Sequence, residues 1–281
     1  MHKIIKKEHL NKDICRLEFE AGDVAKAAKA GQFVILRIDE KGERFPLTIY
    51  DVNNEKGTLT VVCQAVGLST KKLCALTEKD YITDVAGPLG HPVCADKIGR
   101  VICVGGGVGT AEAYPIAKAY KRSGNDVTVI VGARNKELLI CEQELKGLGV
   151  KLYITTDDGS YERKGFVTDV LKELIGKEKY DLVYAIGPVV MMRAVAGVTL
   201  PYKIKTLVSL NSIMIDGTGM CGGCRVKYNN ASKFTCVDGP EFDAHLVDFD
   251  ELLKRQGRFL DKEKQSLAEY ECRIGLKKHG A

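Results

Sequence analysis

The sequence predicts a mixed fold, α/β plus all-β: an N-terminal antiparallel β-barrel, a doubly wound parallel sheet, and a C-terminal loop subdomain followed by a helical tail. Residues 1–97 hold short β-type runs separated by Gly, Asp and Asn, with little helical periodicity. From Gly99 the rhythm changes to buried apolar strands alternating with helical segments. Past residue 208 comes a Gly-rich stretch with the spacing Asp216-x4-Cys221-x2-Cys224-x11-Cys236. The expected divisions are 1–97, 98–208, 209–245 and 246–281, and 281 residues suffice for two buried cores and an appendage.

Composition excludes several classes. The 42 basic and 37 acidic residues give a net charge of +5, and they are interspersed, which is too mild for a nucleic-acid binder. No apolar run reaches the length of a membrane span and the N-terminus has no signal core, so a cytoplasmic protein is expected. In that compartment ten cysteines are not a disulfide framework; Cys15, Cys63, Cys74, Cys94, Cys103, Cys141 and Cys272 read as single core or surface thiols. Five isolated histidines give no support to a histidine metal site or a Ser-His-Asp arrangement.

In the first block, strands are expected at Lys3–Lys6, Ile14–Phe19, Gln32–Ile38, Leu47–Asp51, Thr58–Gln64 and Tyr81–Val85, with one helix at Ser69–Leu76. The run Arg44-Phe45-Pro46-Leu47-Thr48 sets a cation, a proline of fixed φ and a hydroxyl on one extended strand. Such a strand suits a flavin, with its pyrophosphate on Arg44 and its ring beside the Thr48 hydroxyl; a solvated surface arginine is the competing reading. Gly67, Ser69 and Thr70 stand at the mouth of the short helix, where amides favour a phosphate or simply cap the helix. Gly87-Pro88-Leu89-Gly90 reads as a turn, bringing backbone near a ring system or merely linking two domains.

In the second block a strand at Arg100–Val104, a tight turn Gly105-Gly106-Gly107-Val108-Gly109-Thr110 and a helix at Ala111–Lys121 form an anion-binding corner suited to a dinucleotide. Further strands are expected at Asp126–Val131, Val150–Thr155, Asp181–Ile186 and Ile204–Val208, with helices at Glu142–Lys146, Val167–Ile175 and Val189–Ala196. Ligands of such sheets lie beyond the carboxyl ends of the strands. Arg134 is therefore a candidate phosphate contact, Asp157 and Asp158 candidates for ribose hydroxyls, and Gly187-Pro188 for the nicotinamide, against plain helix caps and turns.

The cysteine spacing matches the plant-type [2Fe–2S] pattern with Asp216 in place of the first thiolate. Three alternatives stay open: a closed zinc site, idle thiols, or an Asp216 that only caps a turn while Cys272 is the fourth ligand. Lys227–Asn230 reads as a turn, Phe234–Phe242 returns the chain to the metal, and Leu246–Arg255 and Asp261–Leu276 carry helical spacing, lying on their own protein or clasping a partner.

With these parts in this order the sequence resembles the ferredoxin–NADP reductase superfamily. Within it the chain is most similar to two groups, the electron-transfer subunits of dihydroorotate dehydrogenase and the small (alpha) subunits of NADH-dependent reduced ferredoxin:NADP+ oxidoreductase. The second group has an aspartate as first cluster ligand, as Asp216 is here. The resemblance implies FAD on Arg44, Phe45, Pro46, Leu47 and Thr48, with Thr48 acting in hydride transfer. It also implies NAD(H) over Gly106, Gly107, Val108, Gly109 and Thr110, and a [2Fe–2S] cluster on Asp216, Cys221, Cys224 and Cys236. A larger flavin and iron–sulfur subunit completing a heterodimer is implied, with ferredoxin reached only through it. From a different class, a zinc-stabilised flavoprotein that only scaffolds a partner is the alternative.

Overall fold

The computed structural model describes residues 1–273; the end of the expected tail helix, including Leu276, lies outside the described residues. The first unit consists of β1 (His2–His9), β2 (Ile14–Glu20), α1 (Gly22–Ala27), β3 (Phe33–Arg37), β4 (Arg44–Asn53), β5 (Thr58–Gln64), α2 (Leu68–Ala75), β6 (Tyr81–Ile82) and β7 (Asp84–Leu89). Its strands pair in the order β6-β1-β2-β5-β4-β3-β7. The two edge strands, β6 and β7, are separated in the chain by Thr83 alone, so the sheet must curl until its edges almost meet, giving a nearly closed antiparallel barrel. Alternate residues such as Leu17, Phe19, Val34, Leu36, Leu59 and Val61 fill it, with Leu73 from α2.

Three local readings are corrected here. Helix α1 was not expected; it is six residues long and fixed by burying Ala25, too short to show a period. Gly87-Pro88-Leu89, expected in a turn, ends β7 and lies beside β3; a Cβ on Gly87 would sit 2.8 Å from Val34 Cγ1, so close strand packing explains this glycine. Cys15 and Cys74, read as separate thiols, are joined as a disulfide between β2 and α2, with Cα atoms 6.0 Å apart. They are 59 positions apart in sequence, and only the return of α2 onto the barrel brings them together.

The second sheet contains β8 (Arg100–Gly106), α3 (Gly109–Arg122), β9 (Asp126–Ala133), α4 (Glu142–Gly147), β10 (Lys151–Thr156), β11 (Arg163–Lys164), α5 (Val167–Lys177), β12 (Leu182–Ile186), α6 (Val189–Thr199) and β13 (Lys205–Ser209). Val101 and Cys103 of β8 pack with Ile116 and Tyr120 of α3 and Leu145 of α4. Ile102 and Val104 pack on the opposite face with Leu171 of α5 and Met192 of α6. Helices therefore cover both faces, as the doubly wound pattern requires. Then follow β14 (Arg225–Tyr228), β15 (Ala231–Phe234), α7 (Thr235–Asp238), β16 (Glu241–Asp243), α8 (Phe249–Gln256) and α9 (Leu260–Arg273).

The sheet order is β11-β10-β9-β8-β12-β13-β16, with β16 antiparallel to β13, so one edge departs from the expected all-parallel sheet. The expected turn at Lys227–Asn230 shrinks to Asn229 and Asn230, whose φ values of 48° and 60° suit a hairpin turn, while Lys227 and Tyr228 belong to β14. Helix α8 buries Phe249 and Leu252 in the core that contains α6, so this part of the tail lies on its own protein.

Candidate functional site

The order of the parallel strands reverses at β8, which has β9 on one side and β12 on the other. A crevice forms at such a switch point because the loops leaving the two flanking strands diverge. Here it is a cavity of about 610 Å³, walled by Gly106, Gly107, Val108 and Gly109, by Arg134 and Asp157, by Gly187, Pro188 and Met191, and on the barrel side by Ile14 and Gln64.

The glycines have separate causes. A Cβ on Gly109 would lie 2.5 Å from the Ile186 carbonyl oxygen, and one on Gly106 would meet the Met191 sulfur and Pro188 Cδ at 3.1 Å. The turn after β8 and the turn after β12 thus pack backbone to backbone. Gly107 has open space but a φ of +57°, a conformation that glycine adopts without strain. The turn feeds the N-terminus of the 14-residue helix α3, a favourable place for a phosphate.

Two expected residues fall outside this wall. Thr110 is buried beneath the turn, its Cα 2.8 Å from where a Gly105 Cβ would be. Asp158 is not part of the wall; the Ser160 side chain and then the Ser160 N–H, donating to its carboxylate at 2.9 Å, lower its pKa. Of the acidic pair, only Asp157 lines the cavity.

On the barrel, the two-residue period of β4 sorts its motif. Phe45 and Leu47 are partly buried and pack against the barrel core. Pro46 and Thr48 stand on the other face, directly opposite Ile35 and Phe33 of β3. Arg44 is exposed at the start of the strand and has no ion-pair partner among the described residues, which fits a cation held for a phosphate. Ser69 lies at the same rim, donating to Glu43 at 2.5 Å, whereas the Thr70 hydroxyl is used within α2, accepting the Gly67 N–H at 2.9 Å.

Thr48 connects the two units: its hydroxyl donates to Glu112 Oε2 at 2.9 Å, across from β4 to the first turn of α3. Lys118 pairs with Asp51 at 3.0 Å and Tyr50 stacks on Tyr114 at 5.0 Å between centroids, while Arg16 pairs with Glu144. Glu112, a cavity-wall residue, was missed because an acidic residue in a first helical turn reads as ordinary dipole compensation. Removal from water raises its pKa, opposed only in part by the Thr48 bond. The folded protein thus keeps a proton that the unfolded chain gives up, and stability falls as pH climbs from the ordinary glutamate range through the raised value. Glu112→Gln is expected to make Tm fall less than it does in the wild type as pH rises above the ordinary glutamate range; an unchanged slope would contradict a raised Glu112.

The cysteine loop sits on the face of β3 opposite the barrel core. Phe33 and Ile35 pack with Met214, Cys224 and Cys236, and a Cβ on Gly217 would lie 2.6 Å from Leu89 Cδ1. Gly217, Gly219 and Gly222 have φ of 76°, 84° and 67°, conformations rarely open to other residues.

Among the described residues the four expected donors do not converge as one group of three or more. Cys224 and Cys236 are buried with sulfurs 3.2 Å apart, and burial followed by this contact pushes the Cys236 thiol up to about 12. Asp216 accepts the Cys221 N–H at 2.6 Å and the Thr218 N–H at 2.7 Å, while Cys221 Sγ accepts the Gly223 N–H at 3.4 Å. A binuclear iron–sulfur centre takes its protein ligands two to each iron, and thiolates with inward amides suit it. The donor set therefore fits such a centre. Cys272 instead lies on α9, which packs on α2 where Lys71 reaches Glu271 at 2.5 Å.

Comparison with known proteins follows the same division. Residues 103–197 match the oxidoreductase NAD-binding domain, and residues 211–248 match the iron–sulfur cluster binding domain of dihydroorotate dehydrogenase B. A Thermotoga maritima homolog of the dihydroorotate dehydrogenase B (NAD(+)) electron transfer subunit is 45% identical over 95% of this chain and 94% of its own. The chain belongs to the family of dihydroorotate dehydrogenase B electron-transfer subunits and their homologues. Another family-like relative, an uncharacterized protein from Clostridium beijerinckii, is 49% identical over 96% of this chain and 95% of its own. Among solved structures, one from work on flavin-based electron bifurcation by the NADH-dependent reduced ferredoxin–NADP oxidoreductase superposes with a TM-score of 0.91 at 44% identity. It covers 96% of this family member and 98% of the solved chain. Among the described residues no helix is long and apolar enough to cross a membrane.

Proposed function

We propose that the chain is the electron-transfer subunit of an NAD(H)-dependent flavin and iron–sulfur oxidoreductase of the NADH-dependent reduced ferredoxin–NADP oxidoreductase type. One observation carries this reading: Thr48 is bonded to Glu112 in the wall of the switch-point cavity and pairs across the sheet with Phe33, on which Cys224 and Cys236 pack. A nicotinamide site, a flavin strand and a cluster loop thereby meet around one residue. FAD, when bound, exchanges a hydride with NAD(H) and releases or accepts electrons singly.

The chain's residues position these groups. Arg44, with Ser69 at the same rim, holds the flavin diphosphate, and Thr48 presents a hydroxyl whose direction Glu112 fixes. Gly106 to Gly109 and the α3 N-terminus hold the dinucleotide phosphates, and Asp216, Cys221, Cys224 and Cys236 hold the [2Fe–2S] cluster. The partner is a larger flavin and iron–sulfur subunit, in the cytoplasm, with ferredoxin reached through it. The match over residues 211–248 favours a second reading, the electron-transfer subunit of an NAD-dependent dihydroorotate dehydrogenase.

FAD, iron and acid-labile sulfide in the purified protein support the proposal, and zinc in their place would overturn it. The subunit that co-purifies separates the two readings. NADH should be preferred over NADPH by about tenfold in kcat/KM, equivalent to about 1.4 kcal/mol, because Asp157 lines the cavity and, among the described residues lining it, Arg134 alone is a cation that offsets its charge. Equal values for both nucleotides would contradict that placement.

A further inference from the structure

The last turn of helix α8 carries Arg255, whose Nη2 donates to the carbonyl oxygens of Gly222 at 3.4 Å and Gly223 at 3.3 Å. These are the two residues between Cys221 and Cys224. The next residue, Gln256, donates to the carbonyl and side-chain oxygens of Asn211, each at 3.0 Å, and so ties down the start of the same segment. Only 13% of the Arg255 side chain is exposed, and its Nε is buried without a hydrogen-bond partner among the described residues. Its counter-ion Glu251 lies at 3.6 Å and is 33% exposed. Simple loop anchoring does not require a charge, and burying one is costly unless it is paired and hydrogen-bonded, as Arg255 is by Glu251 and the two loop carbonyls.

We propose that Arg255 is a positioning residue for the Cys221–Cys224 loop and sets the reduction potential of the cluster held there. The inference rests on the proposed function. Reduction adds one electron to the centre without making or breaking a bond, so a nearby buried cation stabilises the reduced form and raises the potential. Arg225 is also close to the loop, but it is exposed and largely screened by solvent and salt. Glu251 acts in the opposite sense, so the potential reflects the difference between the two charges.

The test is an anaerobic redox titration of the full-length protein followed by EPR, with iron and sulfide content measured for each variant. Arg255→Gln should shift the potential to more negative values, Arg255→Lys should stay near wild type, and Glu251→Gln should shift it to more positive values. A purely structural role moves both neutralising variants the same way or neither, and that result overturns the proposal. If Arg255→Gln fails to keep its cluster, Glu251→Gln decides alone: a positive shift supports the assignment and an unchanged potential overturns it. A wild-type protein without iron and sulfide overturns the proposed function itself, whereas a wild-type cluster indifferent to all three substitutions overturns only the role of Arg255.

Discussion

Replacing Cys224 by Ser is expected to remove the cluster and abolish electron delivery to one-electron acceptors, while NADH still bleaches the flavin. Cys224 is 1% exposed, its sulfur lies 3.2 Å from that of Cys236, and both pack on Phe33 and Ile35. A serine oxygen there is a poorer ligand for a soft iron–sulfur centre and cannot be rescued by water from outside. Cys221 is exposed, so Cys221→Ser should lose less, keeping part of its cluster. Iron and sulfide analysis with EPR measures both; a full cluster in Cys224→Ser contradicts the assignment.

The second large effect belongs to Gly109→Val. The new side chain starts 2.5 Å from the Ile186 carbonyl oxygen and 2.8 Å from Gly187 Cα, backbone on both counts, so nothing flexible can move aside. Forcing the β8 and β12 turns apart should cost about 1–3 kcal/mol of stability. It should also disrupt the nicotinamide cavity, so that NADH no longer reduces the flavin in stopped-flow mixing although FAD stays bound. By contrast, Gly107→Ala meets no neighbour and is strained only by its φ of +57°, so it should lose less activity. Equal losses in both would show that packing between the two turns is not what Gly109 serves.

Much of this architecture was legible because period carries it. β5 runs from Thr58 to Gln64 as the sequence predicts, and β8, β9, β10, β12 and β13 fall within a residue or two of their expected positions, whereas the two-residue edge strand β11 was not expected. The cysteine spacing identified its loop for a chemical reason, since cluster geometry constrains the intervals between ligands. Illegible features depend on tertiary approach. The Cys15–Cys74 pair, the antiparallel β16 and the Thr48–Glu112 bond join segments far apart in sequence, and no local pattern records them. Strand alternation, an inference the sequence itself permits, sets Phe45 and Leu47 on the barrel-core side of β4 and Arg44 and Thr48 on the other. The aspartates at 157 and 158 were indistinguishable until the turn was seen to use one of them for itself.

The central claim is that electrons from NADH pass one at a time through the strand carrying Thr48 to the loop of Cys221, Cys224 and Cys236. Rapid mixing of the anaerobic full-length protein with NADH, freeze-quenched and read by EPR alongside flavin absorbance, tests it most directly. The account predicts flavin bleaching followed by a [2Fe–2S] signal in the wild type, and bleaching without that signal in Cys224→Ser. A wild-type protein whose flavin is fully reduced by NADH while its intact, reducible cluster stays oxidised would contradict it.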